Sequence, residues 1–258
     1  MRRFAEREHA VENGPGEAHQ KRIVREIFST ITGKYDFLNH LLSLRRDVAW
    51  RRTAASRMRF FQTHRLLDVA TGTCDLIVES LRKHGRIKVV GLDLVPEMME
   101  AGREKLARFG MEDGVRLMLG DALHLPFSDG SFDNVSIAFG IRNIRARVGA
   151  LREMLRVLVP GGKVLVLEMA LPEARLIRPF YRFYLNVVLP KMAGAVFPNP
   201  EAYHYLAESI TGFPTPLEFA RMMREAGFER VEIAPLTWGI TYLHTGHKPA
   251  AMGHRGEA

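Results

Sequence analysis

The stretch Arg65-Leu-Leu-Asp-Val-Ala-Thr-Gly-Thr-Cys-Asp75 decides the fold. Residues 65–70 form a short apolar run that suits a strand covered on both faces, and Asp75 opens a helical period that lasts to His84. Only small residues stand between them, so strand passes into helix through a tight turn, the first unit of an open α/β sheet. Outward from this turn the alternation repeats. A second buried strand is expected at Lys88–Asp93, and a helix from Pro96 to Phe109 follows, with Met99, Leu106 and Phe109 on one side and Gly110 ending it. Strands follow at 115–120 and 134–139. A helix carries Leu151, Met154, Leu155 and Leu158 at i, i+3, i+4 and i+7, and Pro160-Gly161-Gly162 stops it before a strand at 163–169.

The rhythm breaks between 171 and 213, which holds Phe180, Tyr181, Phe183, Tyr184, Phe197, Tyr203, Tyr205 and Phe213. It resumes with a helix at 216–226, striped by Phe219, Met222, Met223 and Ala226 and ended by Gly227, and with closing strands at 230–238 and 240–244 that read as an antiparallel edge pair. The expected fold is α/β: a Rossmann-like, doubly wound, seven-stranded sheet, mostly parallel with an antiparallel edge strand, preceded by a helical lid and carrying a helical insertion before the last helix–strand unit.

The 258 residues carry 37 Lys and Arg against 29 Asp and Glu, a net charge of +8, with 47% hydrophobic residues. This balance excludes disordered and fibrous classes. The charge is uneven: residues 1–65 hold 14 Lys/Arg and 7 Asp/Glu, which is +7 of the +8. Such a segment reads as a solvated helical face, an anionic-membrane contact or a nucleic-acid contact. Cys74 is the one cysteine and cannot form a disulfide within the chain, and residues 1–17 have no signal-peptide core, so a cytoplasmic location is expected. The most apolar stretch, 185–197, contains Pro190 and Lys191 and is too short to span a bilayer, which leaves surface attachment open.

The turn after the first strand is where a ligand is expected. Gly72, with Ala70 and Thr73, leaves room for close approach, and Asp93 lies 21 residues beyond Gly72 at the end of the second strand, placed to accept from ribose hydroxyls. A dinucleotide would need G-x-G-x-x-G and a helix N-terminus free for pyrophosphate; this loop has one glycine and puts Asp75 at the incoming helix. A carboxylate there repels phosphate and suits a cation. S-adenosyl-L-methionine, with sulfonium and ammonium groups and no phosphate, is the expected cofactor, and Asp121, beside Ala122, could accept from its adenine amino group.

Two further stretches carry a resemblance: Tyr35-Asp-Phe-Leu-Asn39-His-Leu-Leu-Ser43 with Trp50, and Arg156-Val-Leu-Val-Pro-Gly-Gly162. With Leu125-Pro-Phe, Phe139-Gly-Ile-Arg-Asn143, Tyr205-Leu-Ala-Glu-Ser209-Ile and Leu243-His244, the sequence resembles the UbiE/MenG family of quinone-biosynthesis C-methyltransferases, within the class I S-adenosylmethionine-dependent fold, from about residue 22 to about 249. The resemblance divides the chain into a flexible basic tail (1–21), a helical lid (22–62), a methyltransferase domain (63–249) with an aromatic insertion (171–213), and a C-terminal tail (250–258). It implies Thr73, Asp93, Asp121 and Ala122 as cofactor contacts, and a polyprenylated quinol such as demethylmenaquinol as substrate, with a benzoquinol as the alternative. Asp47 departs from the family, which usually has a histidine there, and Ala138 stands where a related member has a serine near the cofactor. Backbone contacts at Ala138 need no side chain.

Transfer of a methyl group to such a ring requires the ring to be oriented, water excluded and one proton removed; no metal is expected. Arg142, just after the fourth strand, is the expected stabiliser of the developing phenolate. Tyr35, Asp36, His204 and His244 are candidate proton acceptors, with Tyr35 and His244 taken into the expected catalytic set. The aromatic insertion is read as a substrate cover, with an extra core layer or a homodimer contact as the alternatives. A nucleic-acid partner is not expected: Ala138-Phe-Gly-Ile replaces the motif of an exocyclic-amine methyltransferase, and Cys74 lies in the cofactor loop rather than where a pyrimidine C5 enzyme needs its thiolate. A non-catalytic binding module would have no need of Asp93 and Asp121. A basic lid facing a lipid-borne substrate suggests transient docking at a membrane surface.

Overall fold

In the computed structural model, residues 15–189, 191 and 200–250 are described. Seven strands, β1 (Arg65–Val69), β2 (Lys88–Asp93), β3 (Val115–Leu119), β4 (Phe132–Ala138), β5 (Leu158–Met169), β6 (Glu229–Leu236) and β7 (Thr241–His247), form one sheet in the order β3-β2-β1-β4-β5-β7-β6. The ladders from β3 to β5 are parallel, and β7 runs antiparallel to both of its neighbours. The antiparallel pair thus closes one edge as expected, with β7 inside and β6 outermost. The winding reverses between β1 and β4, where the loops after the two strands diverge and open a crevice at the C-terminal ends of the strands.

Successive residues of the strands serve opposite faces. Leu66 enters a core with Trp50, Ala54 and Ile77, while Leu67 enters the other with Leu151, Met154 and Phe219. The helices between strands are α4 (Asp75–His84), α5 (Pro96–Phe109), α6 (Arg147–Val157) and α9 (Pro216–Glu225). A capping box between Thr215 and Glu218 starts α9. α6 ends at Val157 rather than running through Leu158, because Leu158 is extended and already pairs with Phe132 as the first residue of β5.

Among the described residues three α-helices precede the sheet: α1 (Pro15–Ile31), α2 (Tyr35–Leu42) and α3 (Arg46–Ser56). Two corrections concern the expected division here. Residues 15–21 are not tail but the first turns of α1, with Pro15 at its start and Glu17 as its first-turn acid; residues 1–14 lie outside those described. The segment 22–62 is also not all cover, since α3 buries Trp50, Ala54 and Ala55 against α4 in the main core. The insertion contains α7 (Ile177–Phe183), which continues through a π-helical turn (Tyr184–Val188), and α8 (Pro200–Thr211). Residue 190 and residues 192–199, including Phe197, and the C-terminal residues 251–258 lie outside those described. Among the described residues no helix is long and apolar enough to cross a membrane.

Candidate active site

The loop after β1 turns by left-handed backbone at alternate residues, with φ of 52° at Ala70, 53° at Gly72 and 66° at Cys74. Only Gly72 takes that conformation without a steric penalty; at Ala70 and Cys74 it stores strain of about 1 kcal/mol or more each. The chain is held there by Asp93, whose Oδ2 accepts from the Gly72 N–H at 2.7 Å and whose Oδ1 accepts from the Val95 N–H at 2.9 Å. Burial lifts the Asp93 carboxyl above its ordinary range despite these donors. Gly102 on α5 permits the close packing beneath the loop, because a Cβ there would lie 2.5 Å from Cys74 Sγ. Under the loop, Asp68 accepts from Thr71 Oγ1 at 2.7 Å and Ser136 Oγ at 2.6 Å, and burial pushes its pKa up to about 6. Cys74 is fully buried and its thiol is pushed up to about 12, mainly by burial and also by nearby Asp68, so it is no nucleophile.

Two adjoining cavities open from this loop, and Ala70 lines both. One, of about 300 Å³, is lined by Gly72, Thr73, Asp75 and Ala138 together with Tyr35 and Arg51. The other, of about 550 Å³, is lined by Asp93, Asp121, Ala122 and Gly140, with Lys21 of α1 at its wall. All seven expected cofactor residues therefore come together at the crevice.

Lys105 of α5 ties the first cavity to α2. Its Nζ lies 2.5 Å from Asp75 Oδ1 and 2.6 Å from Asp36 Oδ2, and Thr73 Oγ1 donates to Asp36 Oδ1 at 2.6 Å. From the other side Arg51 Nη1 donates to Asp47 Oδ2 at 2.5 Å, and its Nη2 lies 3.4 Å from Asp75 Oδ2. Asp47 also accepts from Ser43 Oγ at 2.7 Å and pairs with His40 Nδ1 at 2.9 Å. Against the penalty of burial, these partners hold its carboxyl below the usual range.

At the β4–β5 end the chain turns through a left-handed Phe139, φ 58°, into a short 3₁₀ helix, Ile141–Asn143, that carries Arg142 inward. Arg142 Nη1 donates to Phe139 O at 2.5 Å and to Glu168 Oε1 at 2.6 Å, and its backbone N–H donates to Glu168 Oε2 at 3.1 Å. Burial opposes the guanidinium charge, but Glu168 outweighs it and the Arg142 pKa rises. Its Nε is buried without a hydrogen-bond partner. Tyr35, Tyr181 and Tyr205 are its electrostatic neighbours. Tyr205 donates to Asn143 Oδ1 at 2.9 Å and accepts from Gln20 Nε2 at 3.0 Å, joining α8, the 3₁₀ turn and α1.

Residues 16–248 match the model of the ubiE/COQ5 methyltransferase family. The demethylmenaquinone methyltransferase of Thermus thermophilus is 43% identical over 86% of this chain and 100% of its own length. That of Deinococcus radiodurans is 41% identical over 92% and 98%. The chain belongs to the ubiE/COQ5 methyltransferase family. The ubiquinone/menaquinone biosynthesis C-methyltransferase UbiE of Geotalea daltonii is also similar, 39% identical over 87% and 96%. Among solved structures, an S-adenosylmethionine-dependent methyltransferase from Thermotoga maritima shares the fold at TM-score 0.62 and 21% identity, covering 87% of this chain and 99% of that one. The cyclase SpnF shares it at 0.65 and 17%, over 88% and 95%.

As a member of this family the chain is an S-adenosylmethionine-dependent methyltransferase, and its residues fit that cofactor. Asp75 Oδ2 is buried with no hydrogen-bond partner, Arg51 Nη2 standing 3.4 Å away, which leaves it an acceptor for an ammonium group. Asp121 Oδ2 is already 2.6 Å from Lys21 Nζ, so a ligand amino group there must share or displace the lysine.

The expected catalytic residues separate. Tyr35 stands near Arg142 and Arg51, but burial raises its phenol above the ordinary value, so it is a donor rather than a base at neutral pH. His244 requires correction: it lies in β7, 1% exposed, its ring packed on Phe219 and its Nε2 bonded to Pro216 O at 3.0 Å. Burial lowers it to about 4, and it faces α9 rather than the crevice. His204 is exposed on α8, and Asp36 is engaged by Thr73 and Lys105. Sequence reasoning missed Glu168, Arg51 and Lys105. Glu168 had a signal, as the lone acid in the apolar run 163–169, because a charge in a doubly covered strand demands a partner. Lys105 had none, since one more charged residue on a helix is ordinary.

Proposed function

We propose that the chain methylates a ring carbon of a polyprenylated quinol, with demethylmenaquinol as the substrate, while in transient contact with a membrane surface. Similarity over nearly the whole length to relatives named for that reaction supports the reading, and the observation that carries it is the buried Arg142 fork with an unpartnered Nε at the mouth of β4. When bound, S-adenosylmethionine supplies an electrophilic methyl on sulfur. Gly72, Thr73 and Asp75 hold its methionine end, with Ala138 beside them, and Asp93, Asp121 and Ala122 hold its adenosine end. Arg142 donates to a ring oxygen and stabilises the negative charge that develops when the hydroxyl loses its proton, which enriches the neighbouring ring carbon. Glu168 accepts from Arg142 twice and from the Met169 N–H, and acts by positioning the guanidinium. Tyr35 orients the ring as a neutral phenol. Of the candidate proton acceptors, His204 is exposed on α8, His244 faces α9 and Asp36 is engaged by Thr73 and Lys105.

The test is methyl transfer from labelled S-adenosylmethionine to demethylmenaquinol and to a benzoquinol analogue in parallel. Label in the naphthoquinol is the expected result. Label in the benzoquinol alone would move the substrate assignment to that ring, and label in neither would sink the quinol reading.

A further inference from the structure

α7 has two apolar faces, and only one is covered. Tyr181, Leu185 and Leu189 point inward and pack with Ala207 and Ile210 of α8. Leu176, Phe180 and Phe183, at i, i+4 and i+7, form a second stripe and are 83%, 75% and 59% exposed. Arg175, Arg178 and Arg182 flank it, all exposed, and Glu173 is the one acid in residues 171–189. Trp238, 76% exposed, projects from the β6–β7 turn at the same end of the sheet. Within the insertion, expected to be part of a substrate cover, Phe180 and Phe183 are open to solvent.

Resting on the quinol reading above, we propose that this face of α7 docks on an anionic lipid bilayer. The stripe places phenylalanine and leucine between arginines, the pattern of a helix lying in the headgroup region, where rings enter the acyl boundary and guanidinium groups reach phosphates. Pairing of two copies through this face is disfavoured, because a twofold contact would set the same arginines against one another. In the N-terminal segment Lys21, Arg51, Arg52 and Arg57 are paired with Asp121, Asp47, Glu79 and Glu232, while Arg25, Arg45 and Arg46 are exposed; α7 is preferred because its three arginines flank one continuous apolar stripe. Arg175, Arg178 and Arg182 form no ion pair among the described residues. The inner face of the same helix brings Tyr181 into the electrostatic neighbourhood of Arg142 and Glu168. Docking by the outer stripe therefore sets the reacting end of the cleft about one helix diameter, roughly 10 Å, from lipid, so a prenyl tail need not leave the bilayer for its ring to reach Arg142.

The test uses the full chain with phosphatidylcholine vesicles prepared with and without phosphatidylglycerol. Two double variants are compared with native protein, Phe180→Ser with Phe183→Ser, and Arg178→Glu with Arg182→Glu. Co-sedimentation with the anionic vesicles is expected to weaken about tenfold or more in both. Turnover of a long-chain quinol presented in vesicles should fall in step, while turnover of a short-chain, water-soluble quinol stays within about twofold of native, which also reports that the variants are folded. Unchanged co-sedimentation would overturn the proposal, as would a fall in native molar mass by light scattering without loss of vesicle binding, since the face would then join two copies. Absence of turnover with every quinol strikes the substrate reading instead, and the vesicle arm still decides docking.

Discussion

At the β1–β2 end of the crevice the loop is pinned through its backbone amides, where Asp93 gathers the N–H groups of Gly72 and Val95, with side-chain pairs such as Lys105 and Asp75 around it, whereas at the β4–β5 end the contacts run mainly through long side chains that meet in pairs, Arg142 with Glu168 and Tyr205 with Asn143. An adenosine-type ligand offers the same groups whatever the methyl acceptor, so a fixed loop and acids at strand ends suffice to hold it. An acceptor differs from enzyme to enzyme, and side chains are what evolution can change without moving a strand.

The sharpest way to break this comparison is at Arg142. Arg142→Lys keeps a cation beside Glu168 but loses the fork and the unpartnered Nε. Turnover should fall by about 10²–10³, the usual loss for one preorganised donor, while calorimetric affinity for S-adenosylmethionine stays within about threefold. A comparable loss in both would mean that the two ends do not work separately.

Next come the buried titrating groups, Asp68 beneath the cofactor loop and His244 beneath α9. His244 is held neutral with its pKa lowered to about 4, so its contribution to stability is complete above its ordinary value and is lost as pH falls from there toward 4. Asp68, raised to about 6, runs the other way: stability is complete below its ordinary value near 3.8 and is lost as pH rises through 6. Each limb is worth roughly 3 kcal/mol and the two oppose. In urea titrations between pH 4 and 6, His244→Gln should gain stability on acidification relative to native protein, and Asp68→Asn should lose it. Parallel curves for the three proteins would show that neither group titrates as its surroundings require.

Asp93→Asn removes charge at the adenosine end while keeping one acceptor. S-adenosylmethionine affinity should weaken about 10- to 30-fold with the quinol KM unchanged, a loss of around 2 kcal/mol typical of a hydrogen bond to a charged group. The smallest effect is expected at Lys21, whose pair with Asp121 is about a quarter exposed and worth under about 1 kcal/mol. Lys21→Met frees the carboxylate, and affinity should rise about threefold; a fall would show that the lysine assists the ligand instead of competing with it.

The fold was legible because every buried strand announces itself: 65–70, Lys88–Asp93 and 163–169 are apolar runs closed by small or acidic residues, and that pattern has few alternatives. The cofactor end was legible for the same reason, since residues at strand ends are placed by the strands themselves. The acceptor end was legible only at Arg142, which follows a strand directly. Its partners come from distant elements, Glu168 from β5 and Tyr205 from α8, and nothing local pairs them. His244 misled because a histidine in a motif looks alike whether it faces a crevice or a core; its alternation in β7 turned it toward Phe219. Asp47 stood out as a departure from the family, but its meaning lay in Arg51, one turn on in α3, and in His40, which the packing of α2 on α3 brings to it.

The grip of Asp36 on Thr73 and Lys105 has a kinetic consequence. Helix α2 is tied through them to the loop that lines the smaller cavity, so any movement of α2 away from that cavity parts these contacts. Because Asp36 is about one-third exposed, the latch is within reach of dissolved ions, and ionic strength becomes a throttle on turnover that leaves the reacting groups untouched.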